Sequence, residues 1–190
     1  MRVFVAGATG VLGVRLVPLL LAAGHEVAGM TRSQRELVER LGAEPVVCDV
    51  YDLENLRAAV RGFAPDLVLH MLTDLPDRLE ELEEKLPANR RMRAEGTRNL
   101  LDAAGGVRTI AESVAFPAGQ EEHERMVLDA GGVVLRYGRL YGPGTYGGDG
   151  PRLPEPPRVH VDEAARRTMD ALYAPTGTVL KIAEDDSASS

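Results

Sequence analysis

Short apolar runs alternate along the chain with stretches in which apolar positions recur every three or four residues, and this alternation begins at the first residues. The pattern predicts strands over Arg2–Ala6, Glu26–Met30 and Glu44–Cys48, separated by helices over Val11–Ala23, Ser33–Leu41 and Asp52–Gly62. Asp66–Met71 reads as a fourth strand, followed by a charged helical region from about Pro76 through Arg98 to Ala104. Val107–Ile110 and Val133–Tyr137 supply strands five and six. After Tyr141 a Gly/Pro-rich run to Pro157 reads as loop, Val161–Ala174 regains helical periodicity, and Thr178–Ile182 reads as a last strand. Helices inserted between strands imply parallel pairing with right-handed crossovers. The expected fold is therefore α/β: a Rossmann-type doubly wound parallel sheet in three α/β/α layers, with six strands in the order 3-2-1-4-5-6, a seventh possible, and little or no separate substrate lobe. One domain is expected over residues 1–183, with an acidic Ser-rich tail over 184–190.

The first strand runs directly into Gly7-Ala8-Thr9-Gly10-Val11-Leu12-Gly13 and then into an apolar helix. That order suits a phosphate-binding turn. Gly7 lets the chain turn out of the strand, Gly10 lets main-chain amides approach a pyrophosphate, and Gly13 lets the helix sit close to the sheet. The phosphate then lies on the positive end of the helix. An acidic residue about 20 positions past such glycines grips a ribose hydroxyl, whereas an arginine there accommodates a 2′-phosphate. Here the second strand ends in Thr31-Arg32-Ser33, with no carboxylate before Glu36. Arg32 is the candidate for the 2′-phosphate, with Thr31, Ser33 and Arg35 beside it, so NADP(H) is favoured and NAD(H) is the alternative. The competing reading is that these arginines solvate the start of a helix.

A formal net charge of −7 argues against nucleic acid or an anionic membrane as partner and leaves a dinucleotide and a small-molecule substrate. Cys48 is the only cysteine, so no internal disulfide forms, and no secretory or membrane-length apolar run is seen; a cytoplasmic protein is expected. No metal site is expected, and a homo-oligomer is left open. Lys85 and Lys181 are the only lysines, which leaves two candidates for any catalytic ammonium.

The glycine loop, the segment Glu95-Gly96-Thr97-Arg98-Asn99-Leu100-Leu101-Asp102-Ala103-Ala104, the run Leu135-Arg136-Tyr137-Gly138-Arg139-Leu140-Tyr141-Gly142-Pro143-Gly144-Thr145 and the segment Val159-His160-Val161-Asp162-Glu163-Ala164-Ala165 carry a resemblance. In that order they resemble the short-chain dehydrogenase/reductase superfamily, in its extended and atypical members related to nucleotide-sugar epimerases and dehydratases. The resemblance implies that Asp49 lies by the adenine amino group with Val50 against the ring, that Met71 and Leu72 pass beneath the cofactor, and that Tyr137 and Pro143 complete its contacts. Asp49 is read equally as a helix cap, a role that also suits Asp52. The superfamily's catalytic serine or threonine maps onto Ser113, where it would hydrogen-bond the reacting oxygen of a substrate; a structural serine at a strand end is the alternative. His70 is read as a packed strand residue.

The resemblance breaks where the chemistry resides. Superfamily oxidoreductases place a tyrosine four residues before a lysine on the helix after strand five, and no Tyr-x-x-x-Lys occurs in this chain. Between Phe116 and strand six only Pro117–Ala130 remain, so that segment is shortened. His123 and Glu124 are the substitutes within reach as proton carriers, but both are expected to be exposed side chains of the short helix. Arg93 stands where relatives carry an asparagine, with Asn89 one helical turn away. The expected protein binds NAD(P)(H) without orthodox Tyr/Lys catalysis; the alternative is an NADP-dependent oxidoreductase or epimerase that uses Ser113 with an unconventional proton donor.

Overall fold

A computed structural model describes residues 1–75, 79–146, 148 and 153–184. The tail from residue 185 and, within the Gly/Pro-rich run, residues 147 and 149–152 therefore lie outside the described residues. Seven strands form one parallel sheet: β1 (Arg2–Ala6), β2 (Glu26–Thr31), β3 (Glu44–Val47), β4 (Leu67–His70), β5 (Arg108–Val114), β6 (Val133–Tyr137) and β9 (Val179–Ile182). Their order is β3-β2-β1-β4-β5-β6-β9, which is the expected doubly wound order with the seventh strand added beyond β6. The order reverses between β1 and β4, so a crevice opens above the carboxyl ends of those two strands.

Alternation within β1 shows why both faces are covered. Val3 and Val5 point into one apolar layer with Leu16, Val17 and Leu20 of α1 (Gly13–Ala22) and Ala164 and Ala165 of α7 (Val161–Ala171). Phe4 and Ala6 point into the other, with Leu56 and Val60 of α3 (Leu53–Phe63) and Leu100 and Ala104 of α5 (Thr97–Ala104). A parallel sheet buried on both faces is stable only with helices on each side, and these supply them. On the first face, α2 (Arg35–Arg40) adds Val38; on the second, α6 (Glu121–Asp129) packs Val127 against Ala111 and Val134.

Two departures from the sequence pattern matter for the site. The charged helical region is not one helix: a short 3-10 turn leads into α4 (Leu82–Arg91), then a π-helical segment Met92–Gly96, then α5. Such widened turns shift the phase of a helix and recur at functional positions. The Gly/Pro-rich run is flanked by two strands that the pattern did not predict: β7 (Arg139–Tyr141) and β8 (Arg158–His160) pair in parallel as a separate two-stranded sheet. Among the described residues, no helix is long and apolar enough to cross a membrane.

Candidate functional site

The glycine turn is shaped by contacts that a side chain would destroy. Gly7 takes a φ of +94°, and a Cβ there would stand 2.5 Å from the Met71 carbonyl oxygen, so the turn seats against the end of β4. A Cβ on Gly13 would overlap the Gly7 carbonyl oxygen and stand 2.6 Å from the Ala8 carbonyl carbon. The third glycine thus packs α1 against the turn itself, where the sequence suggested packing against the sheet. The Gly10 amide donates to the Gly7 carbonyl at 3.1 Å, closing the turn. The amides of Val14, Arg15 and Leu16 are taken by the Gly10 and Leu12 carbonyls, and just ahead of them Gly10 and Val11 are exposed where the turn meets the start of α1. An exposed glycine turn at a helix amino terminus, where a Cβ on Gly10 would meet only the Gly7 carbonyl oxygen at 3.4 Å, fits the chemistry of a diphosphate.

Arg15 was not singled out from sequence, yet it ties this helix to two distant segments. Its guanidinium donates to the Val11 carbonyl at 2.9 Å, to the Pro143 carbonyl at 2.7 Å and to Asp162 at 2.6 Å. Pro143, an expected cofactor contact, is thereby held over the start of α1.

At the ribose end, the Thr31 hydroxyl accepts the Gln34 amide at 3.1 Å and lies 3.4 Å from the Thr9 hydroxyl, linking β2 to the glycine turn. Arg32 and Ser33 are exposed beside it. The Arg32 guanidinium lies 3.7 Å from the Asp74 carboxylate, a residue the sequence did not flag. Farther along, Asp49 accepts the Tyr51 amide at 3.0 Å while Asp52 caps α3 by accepting the Asn55 amide at 3.2 Å. The cap therefore belongs to Asp52, and Asp49 is exposed at the end of β3. Val50 is buried in the second core layer. Tyr51 carries the Arg91 guanidinium 3.9 Å above its ring, and its hydroxyl is buried with no partner among the described residues. Burial chiefly pushes that phenol above its usual range. Met71 is buried beneath the turn and Leu72 is half-buried next to it.

The residues expected to carry chemistry lie inside the protein. Ser113 is fully buried, and its hydroxyl donates to Glu124 at 2.6 Å. Arg136, opposite Ser113 in the β5–β6 register, donates twice to the same carboxylate, at 2.9 and 2.5 Å. Burial pushes the Glu124 carboxyl upward, but the Arg136 and Ser113 hydrogen bonds outweigh it and leave the group below its ordinary value. Tyr137 is also buried, its hydroxyl 2.6 Å from that of Thr168 on α7, and burial raises its pKa. Its ring has no exposed face.

His123 and Glu124 correct the expectation of exposed helical side chains: they are 2% and 4% exposed. The reason is a buried polar chain with one consistent direction. The Leu72 amide donates to His70 Nδ1 at 3.3 Å, so the proton of neutral His70 sits on Nε2, which donates to the Thr97 hydroxyl at 2.9 Å. Thr97 donates to His123 Nδ1 at 2.8 Å, and His123 Nε2 donates to the Glu112 carbonyl at 2.8 Å. Both imidazoles are neutral: burial, then the neighbouring His123, lowers His70 to about 3, and burial lowers His123 as well. His70 is accordingly a packed strand residue. The chain ends on a carbonyl, which cannot pass a proton on, so it braces β4, α5, α6 and β5 against one another. Beside it, Glu112 is buried with its carboxyl pushed up to about 7, the nearby Arg93 pulling the other way. One Glu112 oxygen and Arg93 Nε are buried without partners among the described residues, while another Arg93 nitrogen donates to the Ala118 carbonyl at 3.2 Å. Arg93 thus reaches the shortened segment after β5.

Comparison with known proteins agrees with this architecture. The sequence pattern of the NAD dependent epimerase/dehydratase family matches residues 3–126. A 3-diazoavenalumate denitrifying reductase of a Streptomyces species is 34% identical over 237 aligned positions, covering 99% of this chain and 77% of that protein. An alignment longer than the 190-residue chain means that the relative carries internal stretches with no counterpart here. A 3-beta-hydroxysteroid dehydrogenase of Mycolicibacterium neoaurum is 34% identical over 104 residues, covering 54% of this chain and 28% of that protein. Among solved structures, the UDP-glucose 4-epimerase of Thermus thermophilus, in complex with NAD, superposes with a TM-score of 0.77 at 23% identity, covering 96% of this chain and 78% of the other. With the family pattern matching most of its length and the Streptomyces reductase aligned along nearly all of it, the chain belongs to the NAD dependent epimerase/dehydratase family.

Proposed function

We propose that this chain binds a nicotinamide dinucleotide at the turn Gly7–Gly13, favours NADP(H) through Arg32, and does not use the Tyr/Lys proton exchange of its relatives. The observation that carries the reading is the glycine turn, in which a Cβ on Gly7 or Gly13 would collide with main chain while Gly10 and Val11 stay exposed ahead of the helix, where a diphosphate would lie. Arg32 at the end of β2, with Thr31 and Ser33, supplies the site for a 2′-phosphate; Asp49 and Val50 line the adenine side; Met71, Leu72 and Pro143 line the rest. The Ser113 hydroxyl, committed to Glu124 in the core, favours this reading over one in which Ser113 holds the reacting oxygen of a substrate.

The match to a reductase over nearly the full chain favours a second element of the same reading, hydride transfer without a protein acid. A bound reduced nicotinamide supplies a hydride. An acceptor that becomes an alkoxide then needs a proton, for which this chain lacks the tyrosine and lysine. An acceptor that is already cationic, such as an aryl diazonium that takes hydride at carbon and releases nitrogen gas, needs none. This suits the diazo substrate named for the Streptomyces relative.

Titration with NADPH and NADH, followed by nucleotide fluorescence and calorimetry, tests the binding. NADPH is expected to bind more tightly, and Arg32→Ala to weaken NADPH by about tenfold or more while changing NADH little. Equal affinity for the two nucleotides, or an NADH preference, overturns the assignment. NADPH oxidation followed with an aryl diazonium, a simple ketone and a sugar nucleotide then separates the acceptors; turnover of the ketone alone contradicts the acid-free reading.

A further inference from the structure

Arg32 and Asp74 face each other across the strand that carries the glycine turn. Arg32 directly follows β2 and Asp74 lies shortly beyond β4; β1, which runs into Gly7, lies between those strands in the sheet. The guanidinium and carboxylate are 3.7 Å apart, too long for a hydrogen bond, so charge alone holds them. Their anchorage differs. The Asp74 amide donates at 3.1 Å to the side-chain oxygen of buried Asn89, and the Leu72 amide two residues earlier is held by His70, so the carboxylate stands on fixed main chain. The Arg32 side chain is 60% exposed against 26% for Asp74, and it is the long, rotatable partner. Burial is the chief cause that raises the Tyr51 phenol, and against Arg91 the Asp74 carboxylate adds to the rise, with Glu95 and Asp49. These are the charged groups of the adenosine side.

We propose that Asp74 is a specificity-determining residue of the dinucleotide site: it is the resident counterion of Arg32, and a 2′-phosphate must take the guanidinium from it. The inference rests on the NADP(H) reading above and adds the residue that sets its margin. A 2′-phosphate competes with the Asp74 carboxylate for one cation and is repelled by that same carboxylate. A ribose hydroxyl meets neither cost. Asp74 therefore weakens the 2′-phosphorylated nucleotide selectively and holds the preference for it below what Arg32 alone would give. Asn89 is the positioning residue that keeps Asp74 in place.

Dissociation constants for NADPH and NADH, measured on wild type, Asp74→Asn, Arg32→Ala and the double variant, test this, with thermal unfolding as the check on folding. Asparagine keeps the amide that Asn89 holds and removes only the charge; Asp74→Ser serves if the first variant does not fold. Asp74→Asn is expected to tighten NADPH about fivefold while NADH changes less than about twofold, and the gain is expected to shrink when Arg32 is already absent. A folded Asp74→Asn or Asp74→Ser whose NADPH-to-NADH ratio stays within about twofold of wild type overturns the inference, as does an equal gain with and without Arg32. If Arg32→Ala abolishes the preference for NADPH in that case, the reading above stands and only the role of Asp74 falls. If Arg32→Ala leaves the preference intact, both fall together.

Discussion

Glu112 and His70 are buried within one polar cluster and respond to pH in opposite directions. His70, lowered from 6.5 to about 3, stays neutral in the folded protein while the unfolded chain takes up a proton below 6.5. Its contribution to stability is complete above that value and is lost as pH falls toward 3. Glu112, raised from 4.5 to about 7, keeps its proton in the folded protein after the unfolded chain has released it, so stability is lost as pH rises through that window. The two slopes oppose each other between 4.5 and 6.5. Glu112→Gln removes the falling slope, and since each unit of displacement is worth about 1.4 kcal/mol, the variant is expected to be more stable than wild type by on the order of 1–3 kcal/mol near pH 7.5 and by much less near pH 4.5. Urea unfolding at the two pH values checks this; an equal difference at both refutes the raised Glu112 carboxyl. Legibility varies sharply at this scale. The close approach of Gly7 to Met71 comes from the sheet, whereas the left-handed turn at Gly7 is local, and the Gly13 requirement, which arises against Gly7 and Ala8, can be read from spacing. Asp74, Arg15 and Tyr51 could not be, since each matters through a partner brought close only by the sheet order.

The short helix α6 shows how an element can be held by its polar face. Gln120 through Arg125 is so hydrophilic that its periodicity points to solvent, yet His123 and Glu124 are buried because Thr97, Ser113 and Arg136 receive them. Those partners come from α5, β5 and β6, and no local pattern announces them. The strands and helices themselves were legible because burial on both sheet faces imposes period and length. The π-helical segment and the β7–β8 pair were not, since both depend on where the chain must pass. Thr97 is the shared link of the brace: Thr97→Val keeps shape but leaves the His70 donor and the His123 acceptor unmet. A loss of about 2–4 kcal/mol is expected in urea unfolding, and a change below about 0.5 kcal/mol refutes the brace.

For the whole molecule, one seven-stranded parallel sheet with helices on both faces is the main body of the described residues, with the small β7–β8 sheet beside it. That scale was the most legible, because strand alternation with right-handed crossovers admits few sheet orders. The NADP(H) reading remains tied to single side chains and is tested as such. The position of β9 has a consequence for biogenesis. As the chain leaves the ribosome, β1 to β6 can assemble in order, but the outer rim of Val133–Tyr137 has no neighbour until Val179–Ile182 emerges. In that interval its amides and carbonyls are a template for another chain. A version stopped after Thr178 is expected to self-associate in size-exclusion chromatography more than the full chain, whose edge strand β9 carries Lys181, and a monodisperse monomer would show that the rim is shielded by other means.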